Sequence, residues 1–213
     1  AKVVANLRNG ENFRGGPLSW FEPRIARSLA LMGDATQALS GRAGDLPAIN
    51  HQPQQDGLLR LVHETTLATV PYKEPEKFQA FVDHKGLDSS ALPDPDYPLS
   101  EGYRRFAKAL IRVGDPKGSD SFSGMETEFV ALKNPYRDTL YGGLPVRLYY
   151  QGKPRADAQV ELYERAPDGA VTRYWLRTDT KGEVHIPVQP GHSYLADAVV
   201  LRLPDAALAD ERN

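Results

Sequence analysis

Residues 144–150 (LPVRLYY), 158–165 (AQVELYER), 171–177 (VTRYWLR), 183–188 (EVHIPV) and 193–201 (SYLADAVVL) decide the fold class. Apolar and polar side chains alternate through these runs, as in strands with one buried and one wet face. The runs are separated by Gln-Gly-Lys-Pro (151–154), Pro-Asp-Gly (167–169) and Asp-Thr-Lys-Gly (179–182), residue types that favour reverse turns. Short strands at this spacing predict a small antiparallel sandwich of immunoglobulin or transthyretin type over residues 142–204. Such modules bind, space or support more often than they catalyse.

Upstream of the sandwich the two-residue period continues. Val3, Ala5 and Leu7 alternate with polar neighbours, and residues 24–32 form a second run that stops at Gly33-Asp34. Short strands fit residues 37–39 and 48–51. A longer one fits 58–72, with Leu59, Leu61 and His63 on one face and Arg60, Val62 and Glu64 on the other. Residues 125–133 alternate in the same way. Between these strands the period changes. Phe78, Phe81 and Val82 predict a helix over about 74–85, closed by Gly86. Tyr103, Phe106, Ala107, Leu110 and Ile111 lie at i, i+3, i+4, i+7 and i+8 and predict a second helix over 101–113, capped by Ser100. Residues 88–98, rich in Asp, Ser and Pro, read as a loop. The expected architecture is mainly β. An N-terminal β-domain (1–141) carries two inserted helices, Tyr141-Gly142-Gly143 forms a hinge, the C-terminal sandwich follows over 142–204, and a flexible tail ends the chain at 205–213.

Composition narrows the function classes. With 213 residues, 25% charged and 40% hydrophobic, the chain has the balance of an ordinary globular protein with a real core. Its formal net charge of −2 and the absence of a basic stripe argue against nucleic acid as a partner. No apolar run approaches the roughly 20 residues that span a bilayer. Cysteine is absent, which excludes disulfides and thiolate metal sites.

Several segments in one order resemble a family of bacterial periplasmic proteins. They are GRAGDLPAIN (41–50), LLRLVHETT (58–66), YRRFAKALIRVGD (103–115), GMETEFVALKNPY (124–136), GGLPVRLYYQGKPRADAQVELYER (142–165) and TDTKGEVHIPVQPGHSYLADAVVL (178–201). The family includes NikK-like periplasmic components of cobalt and nickel uptake systems. The resemblance runs from about Lys2 to Leu203. It implies export to the periplasm with removal of a signal peptide, a role as a binding or accessory protein for nickel or cobalt, and components of a membrane transporter as partners. Members also carry a histidine-containing segment ahead of the first strand, whereas the first histidine here is His51.

The residues themselves offer a small set of candidate ligands for Ni²⁺ or Co²⁺. Imidazole is the usual ligand for such ions where thiolates are absent, and five histidines are present: His51, His63, His84, His185 and His192. No two stand at a tight ligand spacing. His63 and Glu64 lie inside the 58–72 strand, where neighbouring side chains point to opposite faces. Glu126 and Glu128, two apart on a strand, share a face roughly 7 Å apart, a workable geometry for a hard cation or an acid–base pair. The candidate metal residues are therefore His63, Glu64, Glu126 and Glu128. Each also has a plain structural reading, as a hydrogen-bonded half-buried histidine or as carboxylates facing Arg or Lys. Trp20, in a Gly- and Pro-containing loop, is the best candidate for an exposed contact surface of a scaffold module. No nucleophile motif, phosphate-cradling loop or dinucleotide fingerprint is present, so no enzymatic activity is expected, and a hydrolase ranks behind both the metal-binding and the scaffold readings.

Overall fold

The computed structural model describes residues 2–90, 92 and 98–205. The tail expected at 205–213 lies outside the described residues from 206 onward, as do 91 and 93–97 of the expected loop. In chain order the first half contains β1 (Val3–Ala5), β2 (Leu7–Asn9), β3 (Gly16–Leu18), β4 (Ile25–Met32), β5 (Ala35–Ala38), β6 (Ile49–His51), β7 (Gly57–Thr65) and β8 (Ala68–Tyr72). Then come α1 (Pro75–His84), β9 (Leu99–Tyr103) and β10 (Phe106–Val113). The second half contains β11 (Thr127–Ala131), β12 (Leu144–Tyr150), β13 (Lys153–Pro154), β14 (Gln159–Arg165), β15 (Val171–Arg177), β16 (Glu183–Ile186) and β17 (Ser193–Asp197). The protein is mainly β, as the alternating pattern predicts.

The N-terminal half is organised around β7. An antiparallel sheet runs in the order β10-β7-β4-β5, and β7 is buried on both faces. Its odd-numbered residues Leu59 and Leu61 join Ala30, Met32, Val113 and Ile49, the last from the separate β1-β6 pair. Its even-numbered Val62 joins Leu31 and Met125 on the side of the C-terminal half. A strand covered on both faces reads as nearly continuous apolar sequence. That is why residue types on the two faces of 58–65 do not separate cleanly.

The C-terminal half is a two-sheet sandwich. One sheet holds β11, β12, β13 and β16, with β12 paired to each of the others, and the second runs β15-β14-β17. Val146, Val160, Leu162, Val184 and Ile186 fill the space between them, each at an alternate position of its strand. β11 lies upstream of Gly142 in sequence, yet it is hydrogen-bonded to β12 along residues 127–131. Leu110 of β10 packs against the same core, so the N-terminal sheet abuts the sandwich directly.

Helix α1 forms where the 3.6-residue period predicts. Pro75 opens it, Phe78 and Val82 are its buried residues, and Gly86 (φ 57°) turns the chain away beyond its end. Phe78 stacks edge-on against Tyr72 of β8 at 5.3 Å. At the other end Lys85 donates to Glu161 and Asp197 (2.6 Å each), fixing the helix to the outer face of β14 and β17.

The second helix expected over 101–113 is not formed. Those residues are β9 and β10, separated by the two irregular residues Arg104-Arg105. The segment satisfies two periods at once. Phe106, Lys108, Leu110 and Arg112 alternate with Ala107, Ala109, Ile111 and Val113 as well as they satisfy the helical spacing. Tertiary pairing decides between them. β10 lies along the open edge of β7 from Phe106↔Glu64 to Val113↔Gly57, an unbroken eight-residue register. Helix propensities differ by at most about 0.7 kcal/mol per ordinary residue. Burying one side chain such as Val113 is worth about 1.5–3 kcal/mol, so the sheet outweighs the local preference.

Candidate functional site at the junction cleft

Where the N-terminal sheet meets the sandwich, an open cleft of about 690 Å³ lies between the end of β7 and the approach to β11. Glu64 and Thr65 line it from β7, Phe106 from β10, and Met125 and Glu126 from the segment that leads into β11. Gln151 and Gly152, in the turn after β12, close its far side. Phe122 forms an aromatic wall and packs at a tilt against Tyr149, with ring centroids 5.2 Å apart.

The two carboxylates of the cleft come from β7 and from the segment that leads into β11, and each is held by an arginine. Arg27 of β4 reaches across to Glu64, its Nε donating to Oε1 at 2.7 Å with Nη2 on the same oxygen. Its Nη1 donates to the Ser123 carbonyl at 3.0 Å, so one guanidinium links β4, β7 and the strand approach. Arg202 donates to Glu126 at 3.1 Å and lies 3.6 Å from Asp205. Forked and doubly bonded guanidinium contacts of this kind fix carboxylate orientation.

Glu128 is set deeper. Its side chain has no exposed surface and forms an ion pair with Lys108 of β10. It also accepts the Ser123 N–H (2.9 and 3.0 Å to its two oxygens) and the Met125 N–H (3.2 Å). Lys108 reaches Asp120 as well (3.1 and 3.3 Å), and Asp120 in turn accepts the Ser121 and Ala131 N–H groups at 2.8 Å. Beside this cluster the buried Arg60 donates to Ser121 Oγ and to the Gly33 carbonyl (3.1 Å). Two cations and two carboxylates thus share one interior region, which offsets the cost of removing each from water.

His63 stands apart. The alternation of β7 puts it on the face opposite Glu64, where its Nδ1 lies 3.3 Å from Ser28 Oγ. Burial pushes its pKa below the ordinary 6.5 and favours the neutral ring. The structure therefore brings Glu64 and Glu126 to one cleft, sets Glu128 beneath it under Lys108, and leaves His63 across the sheet. Among the described residues no three His, Asp or Glu side chains converge on one point able to hold a metal ion.

Three residues of this region escape a reading by sequence: Arg27, Lys108 and Arg202. Lys108 had a signal, because a two-residue period over 106–113 places it on the same face as Phe106 and Leu110. Arg27 and Arg202 lie 37 and 76 positions from their partners, and nothing local marks them. Trp20 reverses its expectation. It is 1% exposed, its ring lies against Gly41, where a Cβ would come within 2.8 Å, and its indole N–H donates to Glu22 (2.8 Å). Its neighbour Phe21 is the exposed aromatic.

The mainly β fold, with its paired sheets and family-like order of segments, agrees with a match along nearly the whole chain. The chain belongs to the DUF4198 family. That family is described as a domain of unknown function, and its profile matches residues 1–202. The match spans every strand described above, so both halves and the cleft between them belong to one DUF4198 unit. No curated protein and no solved structure matches the chain. No helix among its described residues is long and apolar enough to cross a membrane.

Proposed function

We propose that the protein is a non-catalytic periplasmic binding component of a nickel or cobalt uptake system and receives its cargo at the junction cleft. The observation that carries this reading is that Glu64 of β7 and Glu126 of the approach to β11 line one cleft, which also holds Arg104, so the fold brings two oxygen-donor side chains to the same space. Both carboxylates are already oriented by arginines, which suits contact through water better than direct coordination. A divalent ion with six waters occupies on the order of 200 Å³ at roughly 30 Å³ per water, and the cleft accommodates it. Thr65, Thr66 and Gln151 add neutral hydrogen-bonding groups for those waters. The resemblance to NikK-like proteins supplies the transport setting and the membrane transporter as partner.

Calorimetric titration with Ni²⁺ and Co²⁺ tests this. Glu64→Gln and Glu126→Gln are each expected to weaken binding about tenfold or more, a loss of ~1.4 kcal/mol. His63→Ala is expected to leave it unchanged, because that ring lies across the sheet. Absence of binding to the wild-type protein sinks the metal reading.

A second reading, a metal-free envelope scaffold, is favoured by one observation. Phe21 and Leu46 are half exposed, and each follows a residue of the backbone hydrogen bond in which the Trp20 main-chain N–H donates to the Asp45 carbonyl (2.9 Å). An interaction surface there, rather than a cargo site, predicts that Phe21→Ser disrupts association with an envelope partner while metal titrations stay flat.

A further inference from the structure

A second site lies on the other side of the N-terminal sheet. We propose that His51 and Met32 form a binding site for a soft monovalent metal ion, Cu(I), independent of the junction cleft. β6 is buried at Ile49 and His51 and exposed at Asn50 between them, so the two share a face. Ile49 packs with Met32, Ala30 and Leu59 in the layer between β6 and the main sheet, and His51 therefore projects into that same layer. There a small cavity of about 130 Å³ is bounded by His51, Met32, Leu59, Gln54 and Gln55.

His51 is the anomaly of this layer. It is 7% exposed, and its ring makes no hydrogen bond or ion pair with any other described residue. Its ring nitrogens are not among the fully buried atoms that lack a partner, so they open onto this cavity and are free to take a ligand from it. The donor chemistry on the walls says which. Met32, also 7% exposed, offers a thioether, and His51 an imidazole nitrogen. No carboxylate bounds the cavity, and the glutamines add only neutral amide oxygens. Thioether with imidazole selects Cu(I) over the harder divalent ions, which want carboxylate or water oxygens. A two-donor set is sufficient for Cu(I), which accepts low coordination numbers. The alternative occupant is water, at ~30 Å³ per molecule.

The chain has only two methionines, which makes the test direct. Met125 lies in a different cluster on the opposite face of the sheet and serves as an internal reference. With ¹³C-methyl-methionine protein, one equivalent of Ag⁺, a redox-inert stand-in for Cu(I), is expected to shift the Met32 methyl signal and leave Met125 in place. Anaerobic competition with bicinchoninate is expected to give one Cu(I) per chain. Met32→Leu and His51→Gln should each lower that affinity by roughly 100-fold, since even second-shell changes cost about 10–100-fold. Ni²⁺ at saturation should not move the Met32 signal. An unmoved Met32 methyl at stoichiometric Ag⁺ means the cavity holds water only and overturns the proposal, whatever the variants do. Cu(I) affinity unchanged in both folded variants, judged by an unshifted Met125 methyl, assigns the binding elsewhere and overturns it too.

Discussion

Glu128 has no exposed side-chain surface, and a lysine and two backbone amides reach it. Removing the cation leaves Asp120 and Glu128 buried without their counter-charge, and breaking such a group by deleting one partner costs about 3–5 kcal/mol. Lys108→Met, which keeps most of the side-chain volume, is expected to lower unfolding free energy by that amount in urea titrations. A loss under about 1 kcal/mol contradicts the role given to this cluster. His63 behaves oppositely. Its folded-state pKa is depressed by burial, so between that value and 6.5 the unfolded chain binds the proton more readily than the folded one. Stability should therefore fall as pH drops through 6.5 toward the folded value, and His63→Gln should flatten that part of the profile in thermal melts across pH 5 to 7.5. Which carboxylates matter was partly legible: the two-residue spacing of Glu126 and Glu128 marked them. Their different fates were not, because Lys108 and Arg202 meet them only through long-range folding.

At the scale of elements, the strands of the sandwich were readable because each alternates cleanly and ends at Gly, Pro or Asp. Helix α1 was readable for a similar reason, with Pro75 as its first residue, Gly86 after it and Phe78 and Val82 four apart. Residues 106–113 were not, since both periods fit them and only the open edge of β7 settles the outcome. Amide hydrogen exchange gives a sharp check on this point. β10 pairs with β7 on one side and has no second partner among the described residues, so protected and fast-exchanging amides should alternate along 106–113. Continuous protection beyond the first turn is the helical result and contradicts the strand.

Taken whole, the molecule is two layered β-halves locked by side chains that cross between them. Arg27 ties β4 and β7 to the Ser123 carbonyl, Lys108 ties β10 to Glu128, and Leu110 enters the sandwich core. The cleft exists because these contacts hold the end of β7 against the approach to β11. Its residues are spread from Ala26 to Gly152, which is why sequence alone located only Glu64 and Glu126 and could not join them. The paramagnetism of Co²⁺ turns the central claim into one measurement, because it broadens nearby amide signals. In a titration followed by amide NMR, the signals of Gly124, Gly152 and Thr65 should broaden first, while those around His192 stay sharp. Broadening centred on His192 or His185, or none at all, contradicts a cargo site at the junction cleft.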